Sequence, residues 1–172
     1  TAAADNPTLT CRLPGMSDRS PVRIVVDGRM RLPLTHALVT GVVKTPTWLF
    51  TYAETPQNSD RRRAYINANV ELFDILPNVG GNPDLEPVLT GLANKGITRL
   101  LVEGGGIIAA AFLELGLIDE VFWYRAAKIV GGDGLSAIAG MGIERLRDAK
   151  CLNRLYVEGV GDDVVERYSV TG

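Results

Sequence analysis

The sharpest chemical feature of the chain is an acidic residue followed by three glycines, Val102-Glu103-Gly104-Gly105-Gly106. Consecutive glycines let backbone N–H groups approach a ligand closely, and the N-terminus of a helix beginning beyond them favours an anion such as a pyrophosphate. Gly104, Gly106 and Ala109 match the spacing G-x-G-x-x-A, which by itself also serves a tight strand-to-helix turn. A dinucleotide fingerprint needs an acidic residue at the end of the next strand, about 20 positions on. Here Asp119 and Glu120 come earlier and begin a strand, so the Rossmann reading loses ground. Glu103 falls at the carboxyl end of an expected strand, where α/β sheets bind ligands, and is a candidate site residue.

The second feature is the opening run from Asp5 to Arg12. Asp5, Asn6, Thr8, Thr10 and Arg12 put a carboxylate, an amide, two hydroxyls and a guanidinium into eight residues. The plain reading is an Asp-Asn-Pro surface turn. The alternative is a sugar-phosphate site in which Arg12 supplies a forked, permanently charged clamp. Other positions are weaker. His36, the one histidine, has no neighbouring nucleophile and reads as structural. Asp60-Arg61-Arg62-Arg63 reads as a solvated face or as a partner for a cofactor 2′-phosphate. Trp48, Phe50, Phe122 and Trp123 sit in strand patterns and read as core. Lys128 and the glycines around Asp133 are loop-end residues.

Something must position these groups, and the chain has the material for it. Of 172 residues, 46% are hydrophobic, enough for one domain with a real core. With 18 basic and 20 acidic residues the formal charge is -2, which argues against sequence-independent nucleic-acid binding and for a small partner. Cys11 and Cys151 stand far apart, without a clustered histidine, so local spacing builds neither a disulfide framework nor a zinc site, and no metal is assigned. A reducing cytosol fits this usage, and no apolar stretch approaches the roughly 18 residues of a membrane span. Strands are expected at 22–26, 47–52, 70–76, 98–102, 119–129, 151–158 and 164–170, the first three buried on both faces. Helices are expected at 84–94 and 107–115, with a short one between 58 and 69. Strands alternating with helices and ending in an antiparallel hairpin give an α/β fold: three layers, α/β/α, around a mixed and mainly parallel central sheet.

Taken in order, Ala4-Asp5-Asn6-Pro7-Thr8-Leu9-Thr10-Cys11-Arg12, Arg23 to Gly28 with Arg31-Leu32-Pro33, Leu101 to Gly106, Gly116 to Val121 and Lys128 to Gly132 resemble the C-terminal reductase domain of bacterial bifunctional riboflavin-biosynthesis proteins. The resemblance covers nearly all of the chain. It implies a dihydrofolate-reductase-like fold, a cytoplasmic homodimer, and NADPH-dependent reduction of the ribosyl group of a 5-phosphoribosylamino pyrimidine to the ribityl form. By the same resemblance Thr1, Asp5, Gly28 and the segment Gly105, Gly106, Ile107, Ile108, Ala109, Ala110 and Ala111 would contact NADPH. Leu9, Arg12 and Glu103 would face the substrate, and Glu103 and Asp5 are the candidates for a catalytic role.

Two departures stand out. Position 28 is glycine where many members carry serine. The family domain also begins with a strand and helix ahead of the position of Thr1, so the natural protein is expected to extend upstream. The deaminase half, with its His-Ala-Glu and Pro-Cys signature, is not in this sequence. Two other readings stay open: a nucleotide- or sugar-phosphate-binding domain without catalysis, and a related reductase acting on a pterin or another pyrimidine.

Overall fold

The computed structural model describes residues 1–170, which fall into two compact units divided after Leu100. In the first, β1 (Arg23–Val26), β2 (Thr47–Tyr52) and β3 (Glu71–Ile75) form a parallel sheet in that order, with Val25 opposite Leu49 and Leu49 opposite Leu72. The connections carry α2 (Ala37–Thr40) and α3 (Ser59–Asn67), α4 (Leu85–Asn94) follows β3, and a single turn, α1 (Ala2–Asp5), precedes them.

The period-two alternation of the strands feeds two cores. Val25 and Leu49 pack with Leu38 and Val39 of α2 and Tyr65 of α3. Ile24, Val26, Phe50 and Phe73 point the other way and pack with Val88 and Leu92 of α4. Helices therefore cover both faces of this sheet, the expected three layers. In α4 the expected spacing holds: Leu85, Val88 and Leu92 are buried on one stripe, and the Asp84 carboxylate caps the helix by accepting from the Glu86 N–H at 3.3 Å.

Burial on both faces holds for β2 but not for β3, where Glu71 and Asp74 are exposed. Among the described residues β3 has a neighbouring strand on one side alone, and its acidic residues carry ion pairs. Lys95 Nζ lies 2.8 Å from Glu71 Oε1 and over the rings of Trp48 and Phe73, at 5.6 and 5.1 Å from their centroids. Arg62 donates to Asp74 Oδ1 at 2.6 Å and to the Tyr52 carbonyl at 2.9 Å. The arginine run is thus not a uniform solvated face. Arg62 is buried, Arg61 reaches the Leu32 carbonyl at 3.3 Å, and Arg63 alone is left to a surface pair with Asp60.

The second unit holds α5 (Gly106–Glu114) and an antiparallel sheet of β4 (Glu120–Arg125), β5 (Leu152–Val160) and β6 (Asp163–Val170) in the order β4-β6-β5. β5 and β6 are the expected terminal hairpin, turning at Gly161 with φ +63°. The expected single mixed sheet is present as one parallel and one antiparallel three-stranded sheet. The stretch 98–102, read as a strand, takes no regular structure: its β-prone residues find no ladder partner among the described residues, and all but Leu100 are exposed. The 119–129 strand shortens to Glu120–Arg125 for the same reason, since pairing with β6 stops at Arg125. Phe122 is not core but 45% exposed, with the Arg167 guanidinium 5.4 Å from its ring centroid.

One buried cation organises the first unit. Arg23, 3% exposed, donates to the carbonyls of Thr8 (3.4 Å), Ala37 (3.0 Å), Leu38 (3.4 Å) and Thr45 (2.6 Å). Replacing it by leucine strands these carbonyls in the interior, and we expect a loss of about 3 kcal/mol. Urea denaturation measures it; a midpoint equal to that of the parent protein would show that the clamp contributes nothing.

Candidate functional site

Ligands of α/β proteins sit beyond the carboxyl ends of parallel strands. At that edge of the first unit β1 runs into Asp27 and Gly28. The Asp27 carboxylate accepts from the Leu32 N–H at 2.8 Å through Oδ2, while Oδ1 is buried with Arg31 Nε 3.9 Å away as its nearest cation. The Tyr65 hydroxyl donates to the Leu32 carbonyl. Burial pushes the Tyr65 phenol above its ordinary pKa, against the opposing pull of Arg61, and keeps it a donor. The turn from 27 to 32 is therefore held from below by the core.

Gly28 itself is buried and pinned. Its carbonyl accepts from the Tyr52 N–H and from Thr51 Oγ1, both at 3.1 Å. A Cβ built on it would lie 2.4 Å from Cζ of Tyr52, so the Tyr52 ring fills the place of a side chain there.

The opening run takes a different anchor. Thr1 starts the α1 turn, its carbonyl accepting from the N–H groups of Ala4 and Asp5, and Asn6 and Leu9 then adopt left-handed φ of +47° and +48°. Asn6 Oδ1 accepts from the Ala37 N–H at 2.8 Å, so this amide holds α2 and not a ligand. Thr8 gives its carbonyl to Arg23 and accepts the Thr10 hydroxyl, and Leu9 packs on the core. Of the polar groups once counted together, Asp5 and Arg12 remain exposed and without an ion pair among the described residues. Arg23, the anchor of this run, is the first residue of β1, whereas Gly28 follows its last.

In the second unit Gly104 (φ +113°) and Gly105 (φ +92°) carry backbone that only glycine enters readily, and Glu103, exposed, stands just before them. Gly105 is the N-cap of α5, and no side chain caps this helix. Its first N–H groups have no intrahelical acceptor, and a Cβ on Gly104 would meet nothing within 4 Å. Gly106 is glycine for another reason. Its carbonyl accepts from the Ala139 N–H at 2.9 Å, and a Cβ would lie 2.7 Å from the Ser136 carbonyl oxygen. Within 105–111, Ile107 points outward at 71% exposure, Ala110 is buried in the core, and Ile108, Ala109 and Ala111 are half-buried. Ala110 therefore offers a ligand no side chain.

Sequence reasoning missed Arg23 and Tyr52, and it counted Asn6 towards a ligand site when its side chain is spent on Ala37. An arginine opening an apolar strand was a signal for the first; nothing local marked the bond from Asn6 to Ala37 or the meeting of Tyr52 with Gly28. Among the described residues no three His, Cys, Asp or Glu side chains gather as a metal site, and no helix is long and apolar enough to cross a membrane.

Comparison with known proteins bears on the family and the fold. Residues 1–159 match the model of the RibD C-terminal domain. The riboflavin biosynthesis protein RibD of Bacillus amyloliquefaciens is 33% identical over 95% of this chain and 43% of its own length. The chain thus spans less than half of that relative. A protein of Methanothermobacter thermautotrophicus named 2,5-diamino-6-ribosylamino-4(3H)-pyrimidinone 5′-phosphate reductase is 32% identical over the whole of this chain and 77% of its own. In fold, Acinetobacter baumannii RibD superposes with a TM-score of 0.81 at 24% identity, over 99% of this chain and 45% of that one.

The packing of Gly106 generates a prediction. Gly106→Ala must push the 136–139 backbone aside, which we expect to cost about 1–3 kcal/mol and to speed proteolysis between 130 and 140. A digestion rate unchanged from the parent would remove that contact.

Proposed function

The chain belongs to the RibD C-terminal domain family, and from that premise we propose that it is an NADPH-dependent oxidoreductase of riboflavin biosynthesis. Its reaction is reduction of the ribosyl group of a 5-phosphoribosylamino pyrimidine to the ribityl form. The observation that carries this reading is the uncapped start of α5 directly behind Glu103-Gly104-Gly105, an anion cradle beside a carboxylate in a chain of this family. The experiment is direct: loss of reduced-cofactor absorbance when the protein meets NADPH and the phosphoribosylamino pyrimidine. A folded protein without turnover would leave only a binding domain.

When bound, the cofactor supplies a hydride. The chain's part is placement and electrostatics. The Gly104–Gly105 turn and the first N–H groups of α5 would hold a phosphate, with Thr1, Asp5 and the Gly28 turn as further cofactor contacts. Arg12, exposed and without an ion pair among the described residues, would clamp the substrate phosphate with its fork. Leu9 would pack on the substrate, and the Glu103 carboxylate would accept from a pyrimidine N–H. Opening the sugar ring also requires a proton at the ring oxygen, for which Glu103 and Asp5 are the candidate sources. The same reading implies a cytoplasmic homodimer, and the exposed Leu155, Val157 and Val160 of β5 are apolar surface that a second copy would cover.

Two substitutions separate the parts. Ile107→Glu puts a carboxylate on the outward side of the first turn of α5, where the helix dipole tolerates it and a phosphate does not. We expect an unchanged or raised melting temperature with NADPH affinity down more than tenfold. Retained affinity would take the phosphate away from this helix. Arg12→Lys keeps the charge and loses the fork, so the substrate KM should rise several-fold while NADPH affinity holds; the reverse pattern would move Arg12 to the cofactor.

A further inference from the structure

Tyr52 is the last residue of β2, the central strand of the parallel sheet, and it touches the turns that follow both neighbouring strands. On one side its ring lies against the α-carbon of Gly28, where a Cβ would come within 2.4–2.8 Å of three ring atoms. On the other its hydroxyl donates to the Gly81 carbonyl at 2.8 Å. Gly81 belongs to a compact loop between β3 and α4. In that loop Asn78 Oδ1 accepts from the N–H groups of Gly80 and Asn82, both at 3.0 Å, and the Asn78 N–H donates to the Asn82 carbonyl at 2.7 Å. Pro77 bridges Pro83 at the neck. The loop is tied together by its own hydrogen bonds, and the Tyr52 hydroxyl moors it sideways.

We propose that Tyr52 is a positioning residue for the cofactor. Its ring stands in for a side chain at position 28, and its hydroxyl sets the 76–84 loop as the opposite wall of the carboxyl edge. The proposal rests on the reading above that the Gly28 turn contacts NADPH. It also says what chemistry Tyr52 presents. With its proton committed to Gly81, the phenol oxygen can only accept, so it suits a ribose hydroxyl or a carboxamide N–H and not a phosphate.

Tyr52→Phe keeps the ring and removes the mooring. The dissociation constant for NADPH, read by cofactor fluorescence, should rise about fivefold, the worth of one hydrogen bond. The KM for NADPH should rise with it, while kcat and the KM for the pyrimidine move less than twofold. Amide exchange across 76–84 should accelerate. Gly28→Ala, which collides with the ring, should weaken NADPH binding by more than tenfold, and adding Tyr52→Thr should restore most of that loss. A merely structural tyrosine would lower the melting temperature without this selective effect. Tyr52→Phe with parental NADPH affinity and exchange, or a Gly28→Ala defect that persists in the double variant, overturns the proposal and leaves the reductase reading intact. A parent protein that binds no NADPH overturns both.

Discussion

A guanidinium buried among carbonyl oxygens is the constraint on which the first unit turns. Taking a charge out of water costs several kcal/mol, and the cost is offset only where good acceptors surround it. Arg23 finds four, from the opening run, from the first two residues of α2, and from Thr45 just before β2. These segments are otherwise short. α2 has four residues and α1 has four, too few to stand on helical cooperativity. The position of the opening run therefore follows from Arg23 together with the Asn6 bond to Ala37, and not from helix or strand propensity. The same constraint explains Gly41, where a Cβ would meet the Ala37 carbonyl oxygen at 2.7 Å and the guanidinium at 3.2 Å.

What was legible in the sequence divides along physical lines. Periodicity is a local signal, and it gave β1, β2 and α4 to within a residue or two, because in each the apolar spacing matches the face that is buried; the β5–β6 hairpin was legible from its glycine turn between β-prone runs, although β5 is exposed throughout. It misled where a strand needs a neighbour. Residues 98–102 have strand composition and no ladder, and Phe122 has strand alternation on a face that is left open. The ordered set of motifs placed the family and hence the candidate residues. Single residues resisted, because their roles are long-range. The serine that the family pattern puts at position 28 says nothing of a ring arriving from position 52, and a run of three arginines does not announce which one turns inward. The density of polar groups from Asp5 to Arg12 overcounted for the converse reason: a short polar side chain near a helix start is usually spent on backbone, as Asn6 is.

The glycine turn shows how one motif carries two constraints. Gly104 and Gly105 are needed for their dihedral angles, whereas Gly106 is needed because the 136–139 backbone lies against it. Close approach of backbone is what the three-glycine pattern advertises, and in this unit part of that approach is made by the protein itself. On the Gly104 side no such contact is made: a Cβ there would meet nothing within 4 Å.

The cations of the first unit fall into two kinds according to what they hold. Lys95 grips Glu71 and Arg62 grips Asp74, pairs whose carboxylates face water and which dissolved salt therefore screens. Arg23 grips carbonyls in the interior, where dissolved ions do not reach, so its clamp is indifferent to salt. Added salt would therefore loosen the ties of β3 to α3 and to the end of α4, while β1, α2 and the opening run stay tied together.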